Sequence, residues 1–100
     1  QLISRVRELS PVFEKKLHEL KGTRYISDIR NYGLAGALQV EAYPGEPARR
    51  PYEIAMHCWK AGFYVRYGGD TIQLGLPFIT EHYELDRLIN ALGDAFAAQD

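Results

Sequence analysis

Two pairs of short strand-like segments, separated and flanked by amphipathic helices, constrain the fold of this 100-residue chain more than any other feature. In the first pair, residues 34–42 alternate strictly, which is the two-residue period of a β-strand. One face carries Leu34, Gly36, Leu38, Val40 and Ala42, and the other carries Ala35, Ala37, Gln39 and Glu41. The preceding segment, 25–30, ends at a turn of residues 31–33, so we expect an antiparallel hairpin.

The second pair covers residues 63–67 and 71–76, joined by Gly68-Gly69-Asp70. Glycines permit the positive φ angles of a tight hairpin turn, so this pair is also expected to be antiparallel. Three helices complete the pattern. The expected order is α-β-β-α-β-β-α, an α+β domain in two layers, with helices packed on an antiparallel sheet.

The expected helices cover residues 2–20, 52–61 and the segment after Thr80. The apolar positions of the first and last recur at helical spacing: Leu2, Val6, Leu9, Phe13, Leu17 and Leu20, then Leu85, Leu88, Ile89, Leu92 and Phe96. Pro11 predicts either a kink or a restart with Ser10 as cap. Gly22 and Gly62 are expected to end the first two helices, and Thr80 is expected to cap the third.

Length and composition exclude several classes of protein. The length of 100 residues predicts a single domain, 1–100. The sequence contains no run of eighteen apolar residues, so it predicts no transmembrane helix. The net charge of -1 gives no reason to expect nucleic acid or membrane as a partner. Cys58 is the only cysteine and cannot form an internal disulfide, which favours a cytoplasmic location. Because the chain begins at Gln1, inside a helical pattern, we expect a fragment of a longer chain.

No motif predicts a metal site or a catalytic residue. The possible metal ligands are His18, His57, His82 and Cys58. His57 and Cys58 are adjacent, so on a helix they point about 100° apart and cannot share one ion. Cys58 has no evident base partner, and Lys60 lies where a helix is expected to end, a common place for a solvent-facing lysine.

Other polar residues allow two interpretations. Arg49-Arg50 lies near the end of a proline-rich loop, residues 43–51, and is expected to be a solvated surface. Tyr43, Tyr52 and Tyr64 could mark an interface or could lie at the edge of the core. Arg66 lies within a strand pattern beside Tyr64, where a guanidinium could bind a carboxylate through two parallel hydrogen bonds. A plain surface arginine is the alternative.

Two segments carry a resemblance to a known family. They are D-I-R-N-Y-G-L-A-G, residues 28–36, and G-F-Y-V-R-Y-G-G-D-T-I-Q-L-G-L-P, residues 62–77. Together they resemble the C-terminal part of class III pyridoxal-phosphate aminotransferases, most nearly the β-alanine (ω-amino acid):pyruvate transaminases. Many members have a Pro-Pro pair where this chain has Leu76-Pro77-Phe78.

The resemblance implies the C-terminal small domain of a fold type I enzyme that acts as a homodimer or homotetramer. The complete enzyme would bind pyridoxal 5'-phosphate and transfer an amino group from an amino acid or amine to pyruvate. Arg66 matches the arginine that binds the substrate carboxylate, and it is the only functional residue carried over. The cofactor-binding residues belong to the large domain, so this fragment alone is expected to bind no cofactor and to be inactive. The alternative is a stand-alone α+β small-molecule-binding or dimerisation module.

Overall fold

The computed structural model describes residues 2–77 and 80–99 and contains three helices and four strands in the expected order. The elements are α1 (Leu2–His18), β1 (Ile26–Tyr32), β2 (Ala35–Val40), α2 (Arg49–Lys60), β3 (Arg66–Gly68), β4 (Thr71–Gly75) and α3 (His82–Ala97). The expected α+β class is therefore confirmed. Phe78, part of the departure from the Pro-Pro pattern, lies outside the described residues.

The four strands form one antiparallel sheet in the order β1-β2-β4-β3. Both expected hairpins are present, β1 with β2 and β3 with β4. The two hairpins meet along β2 and β4, where Leu38 lies opposite Ile72. β1 and β3 are consequently the two edges of the sheet.

The core lies between one face of the sheet and the helices. Leu38 and Ile72 from the sheet are fully buried with Phe13 and Leu17 of α1. The faces of β2 are those expected, because Leu38 and Val40 are buried whereas Ala35 is exposed. The helices cover this face, and the opposite face of the sheet remains open to solvent.

Helix α1 is continuous through Pro11, so the expected restart with Ser10 as cap is wrong. Pro11 is exposed and removes one backbone hydrogen bond on the solvent side, where water can satisfy the free carbonyl. Leu9 and Phe13, on the buried side, are fully covered and hold the two halves on one axis. The helix ends at His18, and Gly22 has the left-handed φ of 89° that was expected of it.

Helix α2 begins at Arg49, three residues before the expected start, and the expected solvated surface at Arg49-Arg50 is wrong for Arg50. The Arg50 side chain is only 2% exposed. Its Nη1 donates to the carbonyl of Glu41 at 2.8 Å, and its guanidinium lies 3.6 Å from the centre of the Tyr25 ring. Hydrogen bonding and ring stacking therefore replace the hydration of this charge.

Helix α3 is capped by Glu81, so the expected Thr80 cap is wrong. Glu81 and Glu84 form a reciprocal capping box, in which each side chain accepts a backbone N–H of the other. The Thr80 hydroxyl instead donates to the carbonyl of Pro77 at 2.6 Å. The apolar stripe of α3 is buried as expected: Leu85, Leu88, Ile89, Leu92 and Phe96.

Strand β3 is shorter than expected, since residues 63–65 precede its first paired residue, Arg66. Among the described residues, no helix is both long enough and apolar enough to cross a bilayer.

Candidate functional site

The open face of the sheet contains a broad trough whose floor consists of small residues. Ala35 and Ala37 of β2 and Gly75 of β4 line it, and Ala35 and Gly75 are register partners. Longer side chains lie on both sides of this floor. One side belongs to β1, and the other is formed by Tyr64 and by Arg66 of β3. The resulting cavity has a volume of about 780 Å³.

One row of paired residues crosses the whole trough. Arg30 pairs with Ala37, Ala37 with Gln73, and Gln73 with Arg66. Side chains in one row of paired positions point to the same face of a sheet, so both arginines project from the open face. Three interstrand spacings place their backbones roughly 14 Å apart. Two cationic walls therefore face each other across a floor of small residues and Gln73.

The trough has a cationic character. Among the described residues that line it, two are arginines, several are neutral hydrogen-bonding residues, and none is acidic. The neutral polar lining residues are Asn31, Tyr32, Tyr64, Thr71 and Gln73. Such a lining favours an anionic ligand, because the guanidinium groups attract it and no lining carboxylate repels it.

The two arginines differ in their partners. Arg30 Nε lies 3.3 Å from an Asp28 carboxylate oxygen on the same strand, so part of its charge is already neutralised. Within residues 2–77 and 80–99, the Arg66 guanidinium has no hydrogen bond or ion pair. Arg66 is also exposed, as the alternation predicts, whereas the neighbouring Val65 side chain is buried. Arg66 is therefore the trough-lining arginine whose donors have no partner among the described residues.

The end of α2 determines where the chain enters this wall. Gly62 has a φ of 96°, and its N–H donates to the carbonyl of Trp59. The N–H of Phe63 donates to the carbonyl of Cys58 at 2.8 Å. These two bonds form a Schellman cap, which requires the left-handed residue that glycine supplies. The cap turns the chain from the helix layer towards the edge of the sheet four residues before Arg66.

The hairpin turn at the other end of β3 is fixed by Asp70. Its carboxylate accepts a hydrogen bond from Gln39 Nε2 at 2.9 Å and another from the Thr71 hydroxyl at 3.0 Å. These bonds, the one from Gln39 first, lower the pKa of Asp70 below its usual value. The carbonyl of Asp70 also accepts the N–H of Val40 at 2.7 Å. The β3–β4 hairpin is thus tied to β2 through side chains and backbone.

Known proteins share this sequence and fold. An omega-amino acid–pyruvate aminotransferase of Pseudomonas putida is 50% identical over 93% of this chain, and a beta-alanine–pyruvate aminotransferase of Pseudomonas aeruginosa is 51% identical over 94% of it. The crystal structure of a PLP-bound aminotransferase mutant from Vibrio fluvialis superimposes on 96% of the chain, with a TM-score of 0.86 and 25% identity.

The chain is homologous to these aminotransferases, and its structural neighbours are class III transaminases. It spans about a fifth of the length of the two Pseudomonas relatives, 21% of each, and it matches their C-terminal portion. The sheet and the three helices match the C-terminal domain of the aminotransferase fold. No family model matches the sequence.

Among its described residues, the trough lacks one group that the cofactor of these aminotransferases needs. Pyridoxal phosphate is held by an imine to a lysine and by an acidic or arginine partner at its ring nitrogen. None of the described residues that line the trough is a lysine. Lys60 is exposed at the end of α2, and Lys16 makes an ion pair with Asp86. The described residues that line the trough therefore supply no lysine for such an imine.

The other residues weighed from the sequence are not brought together. Within the described part of the chain, no group of three or more histidine, cysteine or acidic side chains could hold a metal ion. His18 is exposed and is hydrogen-bonded to Asn31 at 2.8 Å. Cys58 is fully buried, and burial raises the pKa of its thiol to about 11. The thiol is consequently neutral and packed in the core.

The sequence interpretation missed Arg30 and Trp59. Arg30 was recognised only as part of a motif, although strand alternation from Asp28 to Tyr32 already places it on an exposed face. Trp59 stacks on Tyr64 with ring centres 5.2 Å apart, and this contact spans the end of α2. The signal in the sequence is an aromatic residue in the last turn of a helix, Trp59, followed by a glycine cap and then by a second aromatic residue, Tyr64.

Proposed function

We propose that this chain is the small domain of a longer pyridoxal-phosphate-dependent ω-amino acid:pyruvate aminotransferase and that Arg66 binds the substrate carboxylate. The observation that carries the proposal is the exposed Arg66 guanidinium, free of partners within the described residues, on the wall of a trough that no described acidic residue lines. The names of the two Pseudomonas relatives supply the substrate class, an ω-amino acid or β-alanine as donor and pyruvate as acceptor.

The chemistry of Arg66 fits this role. A guanidinium presents parallel N–H donors that match the two oxygens of a carboxylate, and charge-assisted contacts of this kind contribute about 1.5–3 kcal/mol. Both β-alanine and pyruvate carry one carboxylate. Binding it on the trough wall orients the rest of the substrate towards the reacting centre, which the remaining four fifths of the enzyme would supply. The cofactor, when bound there, supplies the electron sink for amino transfer.

The decisive experiment uses the complete enzyme with the variant Arg66→Ala. We expect kcat/KM for β-alanine to fall by about 10- to 150-fold, mainly through KM, which is the fold-change of one charge-assisted contact. The rate with propylamine, which lacks the carboxylate, should remain unchanged. Arg30→Ala removes the other arginine of the same row and should have the smaller effect, because Asp28 already neutralises part of that charge. Equal losses for β-alanine and propylamine would contradict the carboxylate role of Arg66.

A second measurement tests whether the chain acts as part of a larger protein. The native polypeptide from its source should have a mass well above 11.4 kDa and absorb as a pyridoxal-phosphate enzyme. The 100-residue chain alone should neither bind the cofactor nor transfer amino groups. A colourless native product of 11.4 kDa would contradict the proposal and would support the stand-alone binding or dimerisation module instead. Assembly as a homodimer or homotetramer and a cytoplasmic location belong to the same proposal.

A further inference from the structure

The segment before Arg66 lacks the support that a strand normally receives. The ladder with β4 begins at Arg66 itself, where it pairs with Gln73. Tyr64 and Val65 lie between this first ladder pair and the Schellman cap at the end of α2. Both Tyr64 and Arg66 line the trough, so a displacement of this segment would move the whole wall.

Trp59 contacts this segment in two ways. Its indole Nε1–H donates to the carbonyl of Val65 at 2.9 Å, on the peptide unit directly before Arg66. Its ring stacks on that of Tyr64, with centres 5.2 Å apart and planes inclined by 28°. Trp59 is 41% exposed, so it is not a core residue. A helix-borne side chain therefore takes the place of a ladder partner.

These contacts assign a role to Trp59. We propose that Trp59 is a positioning residue, which fixes the backbone of Arg66 and the ring of Tyr64 so that Arg66 can bind a substrate carboxylate. The inference rests on the proposed function of Arg66. Trp59 itself does not line the trough among the described residues, so it acts through Val65 and Tyr64. An arginine on a fixed backbone loses less freedom on binding than one on a mobile segment, which favours affinity.

The test compares two donors in the complete enzyme, β-alanine and propylamine. Trp59→Phe retains a ring that can stack but removes the N–H. We expect it to raise KM for β-alanine about three- to tenfold, the effect of one neutral hydrogen bond, with kcat within about twofold. The constants for propylamine should be unchanged. Trp59→His retains a ring N–H and should recover part of the loss.

Tyr52→Ala provides a matched control. Tyr52 is the other exposed aromatic residue of α2 that contacts β3, through an edge-to-face contact with Tyr67 at 5.7 Å. The control removes an aromatic contact of α2 with the residue that follows Arg66, and it should leave the ratio of the two KM values unchanged. An equal change with Tyr52→Ala would show that general packing is responsible, and it would overturn the proposal.

The remaining outcomes separate the two proposals. If Arg66→Ala is selective for β-alanine and Trp59→Phe and Trp59→His are not, the positioning role is refuted and the function of Arg66 stands. If Arg66→Ala affects both donors equally, the proposed function itself fails. Should Trp59→Phe not fold, Trp59→His supplies the comparison, and Tyr64→Leu, at a side chain that is 75% exposed, removes the stacking partner together with its trough-lining hydroxyl. A β-alanine KM unchanged in both would overturn the role of Trp59.

Discussion

Replacement of Gly36 by alanine should destabilise the domain, whereas the same replacement at Gly75 should not. Both glycines lie in strands and neither has a positive φ. A Cβ on Gly36 would lie 2.8 Å from Leu17 Cδ2 and 3.0 Å from Phe13 Cζ, whereas one on Gly75 meets no described atom within 4 Å. Leu17 and Phe13 are fully buried, so neither can move aside without disturbing the core.

The expected magnitude follows from the difference between the two variants. Alanine in place of glycine reduces the conformational entropy of the unfolded chain and stabilises by about 0.4–1 kcal/mol where it fits. Both variants share this gain, so it cancels in their comparison. Overpacking of a core costs about 1–3 kcal/mol. The free energy of unfolding should therefore be lower for Gly36→Ala than for Gly75→Ala by about 1–3 kcal/mol.

Urea unfolding of the 100-residue chain, followed by circular dichroism, measures this difference. At ordinary urea dependences the midpoints should differ by on the order of 1 M. Leu17→Val removes the Cδ2 atom that Gly36→Ala would meet, so the double variant should be more stable than the sum of the single effects by at least about 0.5 kcal/mol. Equal unfolding free energies for Gly36→Ala and Gly75→Ala, or strict additivity with Leu17→Val, would refute the packing argument.

Two further predictions concern buried groups. Arg50→Lys should lower the free energy of unfolding by about 1–3 kcal/mol, because an ammonium cannot both donate to the Glu41 carbonyl and stack on Tyr25. Thermal unfolding measures this loss, and a change below about 0.5 kcal/mol would contradict the prediction. Burial raises the pKa of the Cys58 thiol from 9.0 to about 11, because the core favours the neutral form. The stability that this shift contributes is complete below pH 9 and is lost as pH rises through about 11. The stability of the unmodified chain should therefore decline more steeply over that range than that of Cys58→Ala, and parallel pH profiles would contradict this.

Local patterns predicted the elements because short-range physics determines them. Residues 35–40 follow the alternation along β2, and Leu38 is buried where the two-residue period places it. Gly62 ends α2 because its left-handed conformation completes a local cap. Each of these features depends on residues within a few positions of one another.

The predictions were wrong where two neighbouring residues can fill the same structural position, or where the environment of a side chain comes from residues distant in sequence. Thr80 and Glu81 are adjacent, and either can cap a helix; the reciprocal bond of Glu81 with Glu84 favours the second. Arg50 was assigned to solvent because only the fold brings Tyr25 beside it, twenty-five positions earlier in the chain. Tyr25 also has a φ of 76°, a left-handed conformation that no sequence pattern predicted.

The segment from Trp59 to Arg66 shows how a short stretch of sequence can determine one wall of the trough. Its glycine, Gly62, reverses the chain at the end of a helix, which brings Tyr64 back beside Trp59. Val65, between the two trough-lining residues, is buried and also accepts the indole N–H. The backbone of the wall is therefore held by neighbours in sequence, while the Arg66 guanidinium is left exposed. An exposed guanidinium on a fixed backbone loses little freedom on binding, which is what the proposed binding of a carboxylate by Arg66 requires.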